Sequence, residues 1–148
     1  MNLSFSLYRL QKIDTQRQKI TQRIAQIEAA LAADEAIQAC LKAKEQAEHE
    51  LKQTQSKLRD VTQQVAAKRM KLELNQNQLF GGKIRNPKDL QDLQAEADFL
   101  RKSIQELEDL QLEVMLELEI AQRNLDEAEQ AYQQCLSNRA TQASLLLG

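Results

Sequence analysis

The chain has very little of what an ordinary globular core is built from. Its 148 residues include no Trp, 3% aromatic residues, one Pro and three Gly. Aromatic side chains supply much of the buried area of a compact core, and Gly and Pro supply many of its turns. Because all of these are scarce, the sequence predicts few turns and a fold other than a compact multi-element domain.

The residues that carry most enzyme chemistry are scarce too. His49 is the one histidine and lies in a charged run, whereas metal sites and catalytic triads usually recruit several ligands or bases. Gly81, Gly82 and Lys83 resemble a phosphate-binding loop superficially, but the upstream Gly, the preceding strand and the Ser or Thr after Lys are missing. We therefore expect no enzyme, no cofactor and no metal site in this chain.

Targeting signals are not found either. The opening MNLSFSLYRL has no basic segment ahead of an apolar core, and no stretch approaches 18 apolar residues. We expect a cytoplasmic protein without membrane contact, in which Cys40 and Cys135 are reduced thiols. Their positions are about one heptad off the helix pairing predicted below, so no disulfide between them is expected.

The abundant residues are Ala, Glu, Lys, Leu, Arg and Gln, a composition typical of long helices and coiled coils. Disorder is the alternative at 28% charged residues and a mean hydropathy of −0.59, but disordered chains lack regular apolar spacing. Here the apolar residues recur in steps of three and four, which predicts helices paired along a heptad seam. In the second half the seam comprises Leu90, Leu93, Ala97, Leu100, Ile104, Leu107, Gln111, Val114, Leu118, Ala121, Leu125, Ala128, Tyr132 and Cys135.

The first half has the same periodicity in two runs. The run nearer the loop comprises Ile37, Cys40, Ala47, Leu51, Leu58, Val61, Val65, Leu72 and Leu79, with Lys44, Thr54, Lys68 and Asn75 as polar interruptions. The upstream run comprises Leu10, Ile13, Ile20, Ile24, Ile27 and Leu31, interrupted by Arg17. The two runs are out of phase between residues 34 and 37. This offset predicts a stammer, a local overwinding or bend of the first helix.

One segment, LFGGKIRNPKDLQDLQ at residues 79–94, breaks the repeat. Gly81 is expected to end the first helix in the left-handed conformation, with Gly82 relaxing the chain further. Asn86 suits the N-cap of the next helix and Pro87 its first position. We predict an all-α fold, a long antiparallel two-helix coiled-coil hairpin forming a single domain over 1–148. Its helices cover about 5–80 and about 87–146, and its loop covers 81–86.

Charge supports the pairing of the two arms. Residues 1–80 carry 13 Lys and Arg against 9 Asp and Glu, whereas residues 89–148 carry 4 against 13. A hairpin centred near residue 84 places the acids from Glu106 to Glu117 opposite the segment 52–59. It also places Glu96 and Asp98 near the basic segment 68–71. Each exposed pair contributes only about 0.2–1 kcal/mol, so charge is expected to favour one register while the seam supplies most of the stability.

The tip is the predicted partner-binding surface. Residues 68–88 contain six basic residues and one acid. Some of these pair with the second helix, which leaves an exposed cluster consisting of Lys83, Ile84, Arg85 and Lys88. We expect a protein partner of unknown identity. Nucleic acid is the alternative, but the acidic second arm would repel it and no interleaved aromatics offer base stacking.

The longer first helix leaves an N-terminal overhang uncovered. Its apolar residues are Leu3, Phe5, Leu7, Leu10 and Ile13. We expect them to be buried against a second copy, in a homo-oligomer, or against further C-terminal sequence, with fraying as the alternative. The apolar ending SLLLG suggests a chain cut from a longer protein.

The segment LFGGKIRNPKDLQDLQAEADFLRKSIQELEDLQLEVMLELE resembles the tip and second helix of a bacterial protein family. That family joins an N-terminal coiled-coil hairpin to a C-terminal four-cysteine zinc ribbon. The resemblance covers nearly the whole chain, and its matching residues are Gly81-Gly82, Asn86-Pro87-Lys88, Leu90, Leu93 and Leu107-Glu108-Asp109 with the region of Met115. No CxxC pair occurs here, so zinc is expected only in a ribbon that this chain lacks.

The resemblance implies an adaptor. Relatives have been linked to an alternative sigma factor, to flagellar or type III secretion components, and in one case to an mRNA. The sequence thus predicts a non-enzymatic adaptor or scaffold arm that mediates protein–protein interaction, and the resemblance implies a role in transcription-factor or in secretion and flagellar regulation. Two alternatives stay open: a nucleic-acid-binding module that uses the basic tip with a missing zinc ribbon, and a purely structural dimerisation rod.

Overall fold

The fold consists of two helices joined by one loop. A computed structural model describes residues 2–147, with side chains as far as Leu145. Helix α1 is Leu3–Phe80 and helix α2 is Pro87–Leu147. The predicted all-α antiparallel hairpin is confirmed, with helix bounds within one turn of the predicted ones, while the single-domain assignment stays a prediction. Neither helix contains an internal Gly or Pro, and residues of high helix propensity fill the exposed positions of both.

The core is the predicted heptad seam. Every seam position predicted in α2, and every one predicted between residues 37 and 79 of α1, is buried or half-buried. Val114 is completely buried. The other buried apolar residues are Ala47, Val61, Val65, Ala97, Leu100, Ile104, Ala121 and Leu125. Isolated helices gain little net stability from propensity, so burial along this seam provides most of the stability of the hairpin.

Contacts divide the chain into two units, and residues 46–126 form one of them. Within this unit α1 and α2 are joined by polar contacts beside the seam. Lys57 Nζ lies 3.3 Å from Glu117 Oε2, and Gln111 Nε2 donates to Thr62 Oγ1 at 3.0 Å. Arg69 also forms an ion pair with Glu108. As the residue number rises along α1, the number of its partner in α2 falls, so the two helices run antiparallel.

Residues 1–45 and 127–148 form the other unit. Arg139 Nε lies 2.7 Å from Asp34 Oδ1, and the Lys44 ammonium lies 5.2 Å from the centre of the Tyr132 ring. Cys40 and Cys135 are neighbours, since the Cys40 side chain lies close enough to raise the pKa of the Cys135 thiol. The prediction that the two cysteines lie one heptad apart is therefore wrong.

Within residues 46–126, too, some residues of α2 lie opposite a different part of α1 from the part predicted. Glu108 pairs with Arg69 rather than with the segment 52–59, so the predicted position of Glu108 is wrong. Asp98 pairs with Arg101 of its own helix, and its predicted position near the segment 68–71 stays a prediction. Glu117 opposite Lys57 is confirmed. A register drawn through the loop centre assumes that both helices leave the loop at the same height. A heptad seam accepts any shift by whole heptads, so its pattern does not detect the error.

The offset between the two apolar runs of α1 is visible in which of its side chains are buried. Ala30 and Ala33 are half-buried and continue the face that carries Ile37, whereas Ile27 and Leu31 are exposed. Successive residues of a helix are separated by about 100° of rotation, so the upstream apolar run leaves the face that packs on α2. The helix itself is continuous through this region. Local overwinding there stays a prediction.

Candidate interaction surface at the hairpin tip

The C-terminus of α1 is shaped by its two glycines. Gly82 has φ of +71°, whereas Gly81 does not have positive φ, so the left-handed conformation predicted for Gly81 belongs to Gly82. Gly81 is required for a different reason. A Cβ there would lie 2.7 Å from the backbone oxygen of Asn77, which is too close for any other residue without movement of the chain. Helix α1 therefore ends at Phe80 as predicted, and the left-handed turn follows one residue later than predicted, at Gly82.

The N-terminus of α2 has the predicted cap. Asn86 Oδ1 accepts a hydrogen bond from the Lys88 amide at 3.0 Å, and the Asn86 carbonyl accepts one from the Leu90 amide at 3.0 Å. Pro87 is the first helical residue, where its missing N–H costs nothing. Asp89 adds a carboxylate to the first turn, where the helix dipole favours negative charge. The loop is thus held at both ends by local geometry.

Asn75 anchors the tip from inside the seam. Its side chain is buried, and Nδ2 donates to the Leu93 carbonyl oxygen at 3.1 Å and to Glu96 Oε2 at 3.4 Å. Its Oδ1 is buried without a hydrogen-bond partner among the described residues. Helix carbonyls point toward the C-terminus, so Asn75 lies level with the turn after Leu93. This contact fixes which turn of α2 packs against the last turns of α1.

The predicted basic cluster is exposed in part. Lys83, Arg85 and Lys88 are exposed, and none of them forms an ion pair with a described residue. Arg69, by contrast, is paired with Glu108 across the hairpin. Three cations are therefore free to meet a partner at the tip. Ile84 differs from the prediction, since it is half-buried within the loop.

Ile84 belongs to a shallow groove of about 390 Å³ beside the end of α1. The groove is also lined by Leu74, Asn77, Gln78, Gly81 and Lys83. Phe80, the last residue of α1, is 79% exposed, and Leu74 is exposed as well. Both residues lie outside the predicted tip cluster, although their spacing from the seam is a signal for exposure. Each lies next to a seam position, Asn75 or Leu79, and so is displaced by about 100° from the face that packs on α2.

The N-terminal overhang is helical and uncovered. Leu3, Phe5, Leu7, Leu10 and Ile13 are each at least half exposed. Leu3, Leu7, Leu10 and Ile13 lie on one face of the helix because they are spaced by three and four residues, whereas Phe5 lies on the opposite side. Burial of these residues against an oligomer partner stays a prediction.

The cysteine pair offers limited chemistry. The hydrogen bond with Cys40 raises the pKa of the Cys135 thiol above its ordinary value, and desolvation and the charge of a Cys40 thiolate add to the effect. Both thiols are free. Across the described residues no group of three or more His, Cys, Asp or Glu side chains is placed to hold a metal ion. Two thiols also fall short of the four ligands of a structural zinc site.

Among residues 2–147, no helix combines the length and the apolar character needed to cross a bilayer.

The tip combines an exposed aromatic ring, a shallow groove and three cations without an ion pair among the described residues, all close together along the chain. Such a surface suits an acidic partner that also offers an apolar pocket.

Comparison with known protein families places the chain. No curated protein and no solved structure matches the chain. The family model described as "CT398-like coiled coil hairpin domain" matches residues 9–145, which include the tip, the seam of both helices and Leu10 and Ile13 of the overhang. The match agrees with the two-helix fold and with the resemblance drawn from the tip motif. The chain therefore belongs to the family of CT398-like coiled coil hairpin domains.

Proposed function

We propose that this chain is a non-enzymatic coiled-coil adaptor arm that docks a protein partner through its tip. The observation that carries the proposal is Phe80, whose ring is 79% exposed three residues before Lys83. Aromatic and Arg side chains dominate the binding energy of protein interfaces, and Arg85 lies in the same loop. Membership of a hairpin-domain family is compatible with such an interaction role.

The composition of the tip indicates the chemistry of the partner. Phe80 and Leu74 would fill an apolar pocket, and Lys83, Arg85 and Lys88 would pair with carboxylates around its rim. Following the family resemblance, the partner belongs to the regulation of a transcription factor or of secretion and flagellar assembly in a bacterial cytoplasm.

Nucleic-acid binding is the second candidate, because the three tip cations are unpaired among the described residues. Each neutralised phosphate contributes about −0.7 to −0.9 to the slope of log affinity against log salt. Three contacts therefore produce a slope of only about −2 to −3, which corresponds to weak binding. The 13 carboxylates in residues 89–148 add repulsion.

Photo-cross-linking tests the adaptor role. Benzoylphenylalanine replaces Phe80, and cells producing the protein are irradiated so that proteins bound at the tip become covalently attached. We expect one defined protein adduct, identified by mass spectrometry. Phe99 is the matched control, because it is an exposed phenylalanine of α2 in the same unit. Adducts equally abundant from both positions, or none from Phe80, contradict docking at the tip.

Salt titration then separates the two candidates. Binding of the chain to a labelled 20-nucleotide RNA and to duplex DNA is measured by fluorescence anisotropy at several salt concentrations. The adaptor role predicts that the purified adduct partner loses affinity both with Phe80→Ser and with Lys83→Ala plus Arg85→Ala. Steep salt-dependent nucleic-acid binding that only the double substitution abolishes would instead support the second candidate.

A further inference from the structure

An uncovered apolar stripe runs along the N-terminal part of α1. It consists of Leu3, Leu10, Ile13, Ile20, Ile24, Ile27 and Leu31, and we call it the N-terminal stripe. Each member is about half exposed or more. Its residues follow steps of three and four over about four heptads, with Ser6 and Arg17 at the two polar positions of the repeat, which is long enough for a coiled-coil seam.

The N-terminal stripe is not a continuation of the hairpin seam. Ala30 and Ala33 face α2, whereas Ile27 and Leu31 lie about one residue, or 100°, further around the helix. The stripe ends just before Asp34, which pairs with Arg139 of α2. Because α2 and the stripe use different faces of α1, a second partner on the stripe would not compete with α2.

Charged residues flank the N-terminal stripe in a definite order. With Leu10, Arg17, Ile24 and Leu31 at heptad position a and Ile13, Ile20 and Ile27 at position d, Arg9 and Arg23 occupy position g. Asp14 and Glu28 occupy position e. None of these four flanking residues forms an ion pair with a described residue of its own chain. Their charges are therefore available to another helix.

The order of these charges selects the orientation of that helix. In a parallel two-stranded coiled coil, a residue at g faces the residue at e of the next heptad in the partner helix. Arg9 would then face Asp14 of a second copy, and Arg23 would face Glu28. In an antiparallel pair g faces g and e faces e, so arginines would face arginines and carboxylates would face carboxylates. The chain is thus complementary to itself in the parallel orientation.

We propose that a second copy of this chain binds the N-terminal stripe as a parallel two-stranded coiled coil. Arg17, at a central a position, favours two strands, since its long side chain reaches solvent at the edge of a dimer but would be buried in a larger bundle. It also opposes slippage, because a shift by one heptad would place two Arg17 side chains against apolar partners. The dimer would present two hairpins from one stem.

Analytical ultracentrifugation of the full chain tests the proposal. We expect twice the chain mass at micromolar concentration. Ile24→Asp, which places a carboxylate in the seam, should halve the measured mass. Gln22→Asp is the matched control, because it adds the same charge at an exposed position off the stripe and should leave the dimer intact. Circular dichroism must show unchanged helix content in both variants.

Charge exchange tests the flanking pairs. Arg9→Glu with Arg23→Glu should be monomeric at concentrations where the unaltered chain is a dimer, and so should Asp14→Lys with Glu28→Lys. An equimolar mixture of the two variants should restore the dimer mass. No restoration would refute the proposed e–g pairing.

Disulfide trapping tests the orientation. In a background with Cys40→Ser and Cys135→Ser, Leu10→Cys should form a covalent dimer when oxidised with diamide, because parallel strands place identical seam residues side by side. Gln18→Cys, off the stripe, should not. A monomeric or higher-order unaltered chain, a dimer that survives Ile24→Asp, or no covalent dimer with Leu10→Cys overturns the proposal. In each of these cases the occupant of the stripe is not a parallel second copy.

Discussion

Replacing Asn75 by Leu should stabilise the hairpin, although it removes two hydrogen bonds. Asn75 is 4% exposed and occupies a seam position at which a heptad repeat normally has an apolar residue. Its Nδ2 is satisfied by the Leu93 carbonyl and by Glu96, but its Oδ1 is buried without a partner among the described residues. The native side chain therefore includes a desolvated polar atom that Leu would not have.

The magnitude follows from three contributions. A buried polar atom without a partner costs about 1–3 kcal/mol, and a fully buried Leu side chain contributes about 1.5–3 kcal/mol. Against this, each lost hydrogen bond is worth about 0.5–1.5 kcal/mol, and the 3.4 Å contact with Glu96 lies at the weak end. The Leu93 carbonyl also accepts a bond within α2, so it is not left unsatisfied. Allowing for strain from the larger side chain, we expect a net gain of about 1–2 kcal/mol in the free energy of unfolding.

Urea unfolding followed by circular dichroism at 222 nm measures this difference. The midpoint should rise with Asn75→Leu while the denaturant slope stays the same. Asn77→Leu is the matched control, since Asn77 is exposed on the same helix and its replacement should change stability by less than about 0.5 kcal/mol. A loss of more than about 1 kcal/mol with Asn75→Leu would refute the reasoning, because the hydrogen bonds would then outweigh the cost of the unpaired oxygen.

Three further predictions concern the register and the turn. Diamide should oxidise Cys40 and Cys135 to an intramolecular disulfide with the loss of two mass units, because the two thiols are neighbours; an unchanged mass would contradict the register. Cys40→Ala should speed iodoacetamide labelling of Cys135 at pH 8, because it removes the hydrogen bond that raises the pKa of that thiol and so increases its thiolate fraction; an unchanged rate would argue against that cause. Gly82→Ala should destabilise the hairpin by about 1–2 kcal/mol in thermal or urea unfolding, because the φ of Gly82 is +71°. Gly81→Ala should destabilise it at least as much, because the added Cβ would lie 2.7 Å from the backbone oxygen of Asn77. A neutral result for either substitution would contradict the described turn.

The sequence predicts which kinds of feature form the tip, but it does not always predict the residue at which each one occurs. The N-cap at Asn86 depends on neighbours within four residues, and it was placed correctly. The left-handed glycine was assigned one residue too early, because a pair of glycines offers two equivalent positions and only the path of the chain past Asn77 separates them. Phe80 lies next to the seam position Leu79, and its exposure agrees with the heptad phase. Ile84 was expected to be exposed, whereas the loop folds it into a groove.

By itself, the sequence determined the helices, the turn and the residues of the seam. These follow from periodicity, helix propensity and capping, which depend on residues a few positions apart and need no knowledge of the partner helix. The phase change ahead of Ile37 was visible for the same reason. The N-terminal stripe and its flanking charges can likewise be recognised from spacing alone.

Only the tertiary structure decided which level of α1 lies against which level of α2. A heptad seam looks the same after a shift by seven residues, so periodicity leaves a set of equally good registers. The choice among them depends on contacts between residues far apart in the chain, namely Asn75 with Leu93, Arg69 with Glu108 and Cys40 with Cys135. Those contacts in turn depend on the path of a six-residue loop, and no local pattern encodes that path.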